Sequence, residues 1–219
     1  MQLKSLLALA LSLFILAACS EAPVDVQPLA DGAVVLVIGD SLVAGTGATA
    51  EQSWPSGLAR RTGWSVVNAG EPGDTSEAAL RRLPGLLETH LPDAVIIAVG
   101  GNDFLRNVPL ANTRAQLEEM TRISKTAADH VAIMAVPKFS MAGAAFGALS
   151  DHDLFAGIAQ SNGLVLIPRA IADTLSRAEL RSDRIHANAD GYARMAAHAH
   201  EVLTRHGWVA GGPAPRRAQ

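Results

Sequence analysis

Four short apolar runs, at residues 34–38, 94–99, 131–136 and 164–167, divide the chain at wide intervals. Residues 65–68 add a shorter candidate of the same kind. Runs without polar alternation indicate strands buried on both faces, which requires helices on both sides of a sheet. Helical patterns occupy the gaps, at 56–61, 75–89, 110–128, 151–160 and 190–205. In the second of these, Leu80, Leu83, Leu86 and Leu87 form an apolar stripe. Asp74 with Glu77 resembles a capping box at its start, and Pro84 is expected to kink it. Strand and helix alternating in this way predicts right-handed βαβ units and an α/β chain. The expected architecture is a three-layer α/β/α sandwich around a roughly five-stranded parallel sheet. Chemistry in such a sheet sits at the carboxyl ends of the strands.

The composition agrees with a large buried interior, since 49% of the 219 residues are hydrophobic and only 4% are aromatic. A net charge of -3 excludes a nucleic-acid binder that relies on bulk positive charge. No internal repeat is visible, so one domain is expected over 33–207. Residues 208–219 carry Gly211, Gly212, Pro213, Pro215, Arg216 and Arg217 without a period and read as a flexible tail.

The N-terminus carries Lys4 and then an apolar run over 6–18, shorter than the roughly 20 residues that cross a bilayer. It reads as a secretory signal peptide, residues 1–18. Its end, Leu16-Ala17-Ala18-Cys19, resembles the lipobox of bacterial lipoproteins. That resemblance implies lipidation of Cys19, the chain's only cysteine, as the mature N-terminus and membrane anchor. Residues 19–32, with Pro23 and Pro28, then form a lipidated start and tether. Ser20 in place of aspartate implies outer-membrane sorting, facing the periplasm, in a Gram-negative host. The expected location is therefore the cell envelope.

Four constellations follow strands. Gly39-Asp40-Ser41-Leu42 follows the first, where a glycine permits the sharp bend that presents a hydroxyl at a sheet edge. Val43 stands where a Gly-x-Ser-x-Gly elbow would need its second glycine, which argues against the common α/β-hydrolase fold. Gly45 and Gly47 lie too far beyond the strand for a dinucleotide fingerprint. Asn68 and Gly73-Asp74-Thr75-Ser76 follow the second strand, at a helix start whose free N–H groups suit a developing anion. Gly100-Gly101-Asn102-Asp103 follows the third and offers an amide donor. Near the end stand Asp183-Arg184-Ile185-His186, with a carboxylate within one turn of an imidazole. Each alone is also explained by turns and helix caps.

Together and in this order they resemble the blocks of the SGNH (GDSL-type) hydrolase family, across residues 34–203. The stretch from Asn68 to Ser76 and Gly100-Gly101-Asn102-Asp103-Phe104-Leu105-Arg106 is most similar to its thioesterase I/lysophospholipase/arylesterase branch. The resemblance implies a flavodoxin-like fold and a carboxylic ester hydrolase. It implies Ser41 as nucleophile and His186 as base with Asp183 as its orienter. Gly73 and Asn102 would serve as oxyanion donors with the Ser41 N–H. An acyl-serine intermediate would form and be hydrolysed, and no metal or organic cofactor is required. The partner implied is a small acyl ester or lysophospholipid. The family commonly has proline after the histidine where this chain has Ala187, so a less rigid loop is expected. Residues 137–150, rich in Ala, Gly and Met, are expected to cover the acyl pocket.

Two other function classes compete. One is a non-catalytic envelope or carbohydrate-binding module on a degenerate hydrolase fold. The other is a metallohydrolase using Asp151-His152-Asp153 or His198 with His200, although the latter spacing puts the two rings on different helix faces. The remaining conspicuous residues read as structural. Trp54, Trp64 and Trp208 read as packing. Arg60-Arg61 and Arg81-Arg82 read as solvated helix faces, and Tyr192, Met195, Ala196 and Ala199 as a core stripe. Asp40 and Asp103 are read as turn-bonding neighbours of the site.

Overall fold

A computed structural model describes residues 27–138 and 149–211. The leader 1–18, Cys19, the tether to residue 26, residues 139–148 of the expected pocket cover and residues 212–219 lie outside the described residues. Five strands form one parallel sheet: β1 (Val34–Gly39), β2 (Ser65–Gly70), β3 (Ala94–Ala98), β4 (His130–Met134) and β5 (Val165–Ile167). Their order is β2-β1-β3-β4-β5. Every residue of β3 is buried, as the unbroken apolar run requires. After β1 the chain first builds outward to β2 and then crosses back to β3. The carboxyl ends of β1 and β3 therefore flank a topological switch point, where open α/β sheets place their ligands.

The principal helices are α1 (Ser41–Ala44), α2 (Trp54–Thr62), α3 (Ser76–His90), α4 (Gly101–Leu105), α5 (Leu110–Ala127), α6 (Asp153–Asn162), α7 (Ala170–Leu175) and α8 (Ala189–Arg205). α2 packs with α8, and α3 with α5 and α5 with α6, which gives the three expected layers. The short helices α4 and α7 have no legible period in sequence. The expected strand end at Asn68 moves to Gly70 because β2 stays in register with β1 to its last residue, Gly39 opposite Gly70. α3 runs through Pro84, and its cap differs from expectation. Thr75, not Asp74, is the N-cap, its Oγ1 accepting the Ala78 N–H at 3.3 Å. Asp74 is unavailable because Arg82 holds its carboxylate.

The packed body also extends past both boundaries expected from sequence. Leu29, placed in the tether, is buried and donates its N–H to the Trp208 carbonyl at 2.9 Å. Trp208, placed at the start of the tail, is buried and meets the His130 ring edge-on at 5.1 Å between centroids. An indole of that size contributes more when it closes the end of the core than when it is solvated. Trp54 and Trp64 are buried as well, so all three tryptophans pack.

Candidate active site

Gly39 ends β1 with no room for a side chain: a Cβ there would stand 2.2 Å from the Ala98 carbonyl oxygen. This close approach lets the backbone turn at once into α1. Asp40 caps α1 by accepting the Leu42 N–H at 3.0 Å, and Ser41 is its first residue. Gly70 is equally confined, since a Cβ would lie 2.1 Å from the Ala44 nitrogen. β2 is thereby pressed against the helix that carries Ser41. Asn68 ties the same two elements, donating its amide to the Val43 carbonyl at 2.8 Å and accepting the Gly70 N–H at 3.0 Å.

Ser41 and His186 meet across 145 residues of sequence, with Nε2 of the imidazole 2.9 Å from Ser41 Oγ. The other ring nitrogen, Nδ1, is 2.7 Å from Asp183 Oδ2. Asp183 Oδ1 accepts the N–H groups of Ile185 and His186, both at 2.8 Å. Burial works against the charge on Asp183, but these donors from His186 and the backbone outweigh it and hold the carboxyl below its ordinary range. An ionised Asp183 accepts the hydrogen bond of Nδ1–H, which keeps the proton on Nδ1 and leaves the Nε2 lone pair facing Ser41. The loop keeps this geometry without the proline. Ser182 N–H bonds the His186 carbonyl and Asn188 N–H the Leu180 carbonyl, each at 3.0 Å, and Asn188 Nδ2 bonds the Glu179 carbonyl at 2.8 Å.

Gly73 and Asn102 are joined through Asp74. Residues 71–74 make a turn closed by the Asp74 N–H on the Glu71 carbonyl at 3.1 Å, with Pro72 second and Gly73 third at φ +88°. Proline then glycine with positive φ is the type II signature. Asn102, in α4, donates Nδ2 to the Asp74 carbonyl at 2.9 Å, and its second amide hydrogen remains for a ligand. Behind it Asp103, fully buried, accepts the Ser76 N–H at 2.8 Å. Tyr192 joins the core stripe as expected, and its hydroxyl donates to the Thr46 carbonyl at 2.7 Å beyond α1.

One expectation is overturned. Arg82 is no solvated helix residue: its guanidinium bonds Asp74 and the carbonyls of Ala69 and Gly39. The sequence carried a signal for this, because Thr75 can cap α3 by itself and leaves the Asp74 carboxylate in want of a cation two turns further on. Arg106 was also missed, and donates to the Gly73 carbonyl at 2.9 Å. Three residues of the metal reading are engaged elsewhere. Asp151 Oδ2 accepts the Arg169 N–H, His152 Nδ1 caps α6, and His198 Nε2 meets the Pro168 carbonyl. Among the described residues no three His, Cys, Asp or Glu side chains gather as a metal site.

Asp40 is buried beside Ser41, and desolvation, only partly offset by the Leu42 N–H, pushes its carboxyl up to about 6. A carboxyl raised above its unfolded value of 3.8 binds its proton more tightly in the native state, so it costs no stability below the lower value. The penalty grows as pH rises from about 4 to about 6 and is complete above that. Asp40→Asn keeps the cap and removes the charge. Its Tm relative to the parent is expected to rise between pH 4 and pH 7, by the equivalent of about 2 to 3 kcal/mol. Thermal unfolding of both proteins at the two pH values checks this, and an unchanged difference would refute it.

Residues 37–194 match the GDSL-like lipase/acylhydrolase family. The chain belongs to this family. It is 30% identical over 178 residues to an arylesterase of Vibrio mimicus, covering 78% of this chain and 88% of the relative. It is 31% identical over 161 residues to thioesterase 1/protease 1/lysophospholipase L1 of Escherichia coli K12, covering 71% of this chain and 76% of that protein. The crystal structure of TesA superposes with a TM-score of 0.70 at 27% identity, over 78% of this chain and 97% of the other. The family member described here is accordingly a carboxylic ester hydrolase on the expected α/β/α fold. The relatives lend no support to a non-catalytic module.

Proposed function

We propose that this hydrolase cleaves acyl esters through an acyl-serine on Ser41. The observation that carries the reading is the unbroken chain from Asp183 through His186 to Ser41, at 2.7 Å and 2.9 Å. Nε2 of His186 takes the Ser41 proton as Oγ attacks the ester carbonyl, and returns it to the leaving alcohol or thiol. Water then repeats the sequence and releases the acid. The Ser41 and Gly73 N–H groups and the free amide hydrogen of Asn102 receive the negative oxygen of each tetrahedral intermediate. Asp183 keeps His186 in the productive tautomer and stabilises its charged form.

The substrate lies among the ester classes that the relatives' names span, from aryl esters to lysophospholipids and acyl thioesters. The leader and Cys19 support export to the cell envelope and a lipid anchor, which favours envelope or imported esters over cytosolic thioesters. Hydrolysis of p-nitrophenyl esters from two to sixteen carbons by residues 21–219, with fluorophosphonate labelling, tests the reading. Labelling at Ser41 in step with loss of turnover is the expected result; labelling elsewhere or none would defeat it. Incorporation of fatty acid that disappears in Cys19→Ser checks the anchor in the full chain.

A further inference from the structure

The turn of residues 71–74 is gripped by two arginines, Arg82 of α3 and Arg106 at the C-cap of α4. Arg106, exposed on the solvent side, holds the Gly73 carbonyl. Arg82, in α3, reaches the turn from the side of the sheet. Its Nε donates to Asp74 Oδ2 at 2.9 Å, and its Nη2 lies 2.7 Å from the same oxygen. Nη2 also faces the Ala69 carbonyl at 3.1 Å and the Gly39 carbonyl at 3.4 Å. The Gly39 carbonyl accepts the Glu71 N–H at 3.1 Å as well. One guanidinium therefore joins the end of β2, the residue two before Ser41 and the turn that carries Gly73. Asp74 then passes the constraint on, since its carbonyl holds the Asn102 amide.

The neighbouring arginine shows what is unusual here. Arg81 makes an exposed i,i+4 pair with Glu77, their side chains 65% and 66% accessible. Such pairs contribute little. The Arg82 and Asp74 side chains are 31% and 13% accessible, and the rigid fork sets Nε and Nη2 on Asp74 while Nη2 also faces two carbonyls. The side-chain partners of Arg82 and Asp74 are each other and the carbonyls of Ala69 and Gly39, not Ser41 or His186, so the arrangement acts through the donors it holds.

We propose that Arg82 is a positioning residue for ester hydrolysis, fixing the Gly73 N–H and the Asn102 amide relative to Ser41. The inference rests on the roles assigned to Ser41, Gly73 and Asn102 above. Its effect is on the transition state, because the charge these donors meet exists only there. Arg82→Ala is expected to lower kcat about tenfold to a hundredfold, with KM changed less than about twofold. Arg82→Lys, which keeps the charge but not the fork, should fall between the two. Arg81→Ala should match the parent.

A loss of packing would also slow the enzyme, so the deciding measurement is a double-substitution cycle with Asn102→Ala. If Arg82 acts through the oxyanion donors, Arg82→Ala in the Asn102→Ala background should cost less than about a third of its single effect on kcat. Full multiplication of the two losses, or an unchanged kcat in Arg82→Ala, would overturn the proposal. Should Arg82→Ala fail to fold, Asp74→Asn breaks the same ion pair without emptying space, and carries the cycle with the same outcomes. Failure of the underlying reading looks different: Ser41→Ala would stay active and Asn102→Ala would be silent by itself.

Discussion

Replacing Ser41 with alanine is expected to reduce kcat for any hydrolysed ester by about 10⁴-fold or more, with thermal unfolding almost unchanged. The two halves of that result have separate causes. Loss of Oγ removes the atom that forms the covalent intermediate, and the remaining donors can only assist attack by water. The hydroxyl's contact is with His186 Nε2 at 2.9 Å in a half-buried position, where water can replace it, so stability should shift by less than about 0.5 kcal/mol. On the proposed mechanism Ser41 and His186 act as one unit, so the double variant Ser41→Ala, His186→Ala should be no slower than Ser41→Ala alone. Purified proteins compared by p-nitrophenyl ester turnover and by thermal unfolding give the answer. Residual turnover within about tenfold of the parent would remove Ser41 from the mechanism.

The parts of this fold that could be read from sequence are those in which one residue type has one physical use. Val35, Leu36, Val37 and Ile38 have no surface to occupy except a sheet covered on both sides, and all are buried in β1. Gly39 and Gly73 mark a close approach and a positive φ, one two residues before Ser41 and the other in the turn tied to Asn102 through Asp74. Arg82 was misread because an arginine on a helix has two common uses, and local spacing cannot distinguish a solvated face from a fork aimed at the sheet. Leu29 and Trp208 were misplaced for a related reason. Each is apolar within a stretch of turn residues, and only the three-dimensional meeting of the segments around Leu29 and Trp208 buries them. The capping residue was missed by one position because Asp74 and Thr75 are both good caps, and the choice belongs to Arg82, which engages the carboxylate.

Asp103 should carry the largest stability effect of any side chain near the site. It is fully buried and accepts the N–H of Ser76 at 2.8 Å, the Ser76 hydroxyl, and the Thr113 hydroxyl at 3.2 Å. Those donors open α3 and lie in the first turns of α5, so one carboxylate in α4 fastens two further helices behind Asn102. Asp103→Ala strands the Ser76 N–H and the Thr113 hydroxyl, while the Ser76 hydroxyl still has the Gln116 Oε1 at 2.6 Å as acceptor, and each stranded buried donor costs about 1 to 3 kcal/mol. Relaxation and entry of water recover part of this, so a net loss of roughly 2 to 4 kcal/mol is expected. For a domain of this size that corresponds to a fall in Tm of about 10 °C. Asp103→Asn retains one acceptor oxygen and lets the Ser76 hydroxyl turn to accept from the new amide, so its loss should be close to half as large. Ester turnover per folded molecule should fall with Asp103→Ala as well, since α4 carries Asn102 beside it. Denaturant titration of the parent and both variants measures the stability terms. An Asp103→Ala protein within about 1 kcal/mol of the parent would mean that water serves the stranded donors as well as the carboxylate does.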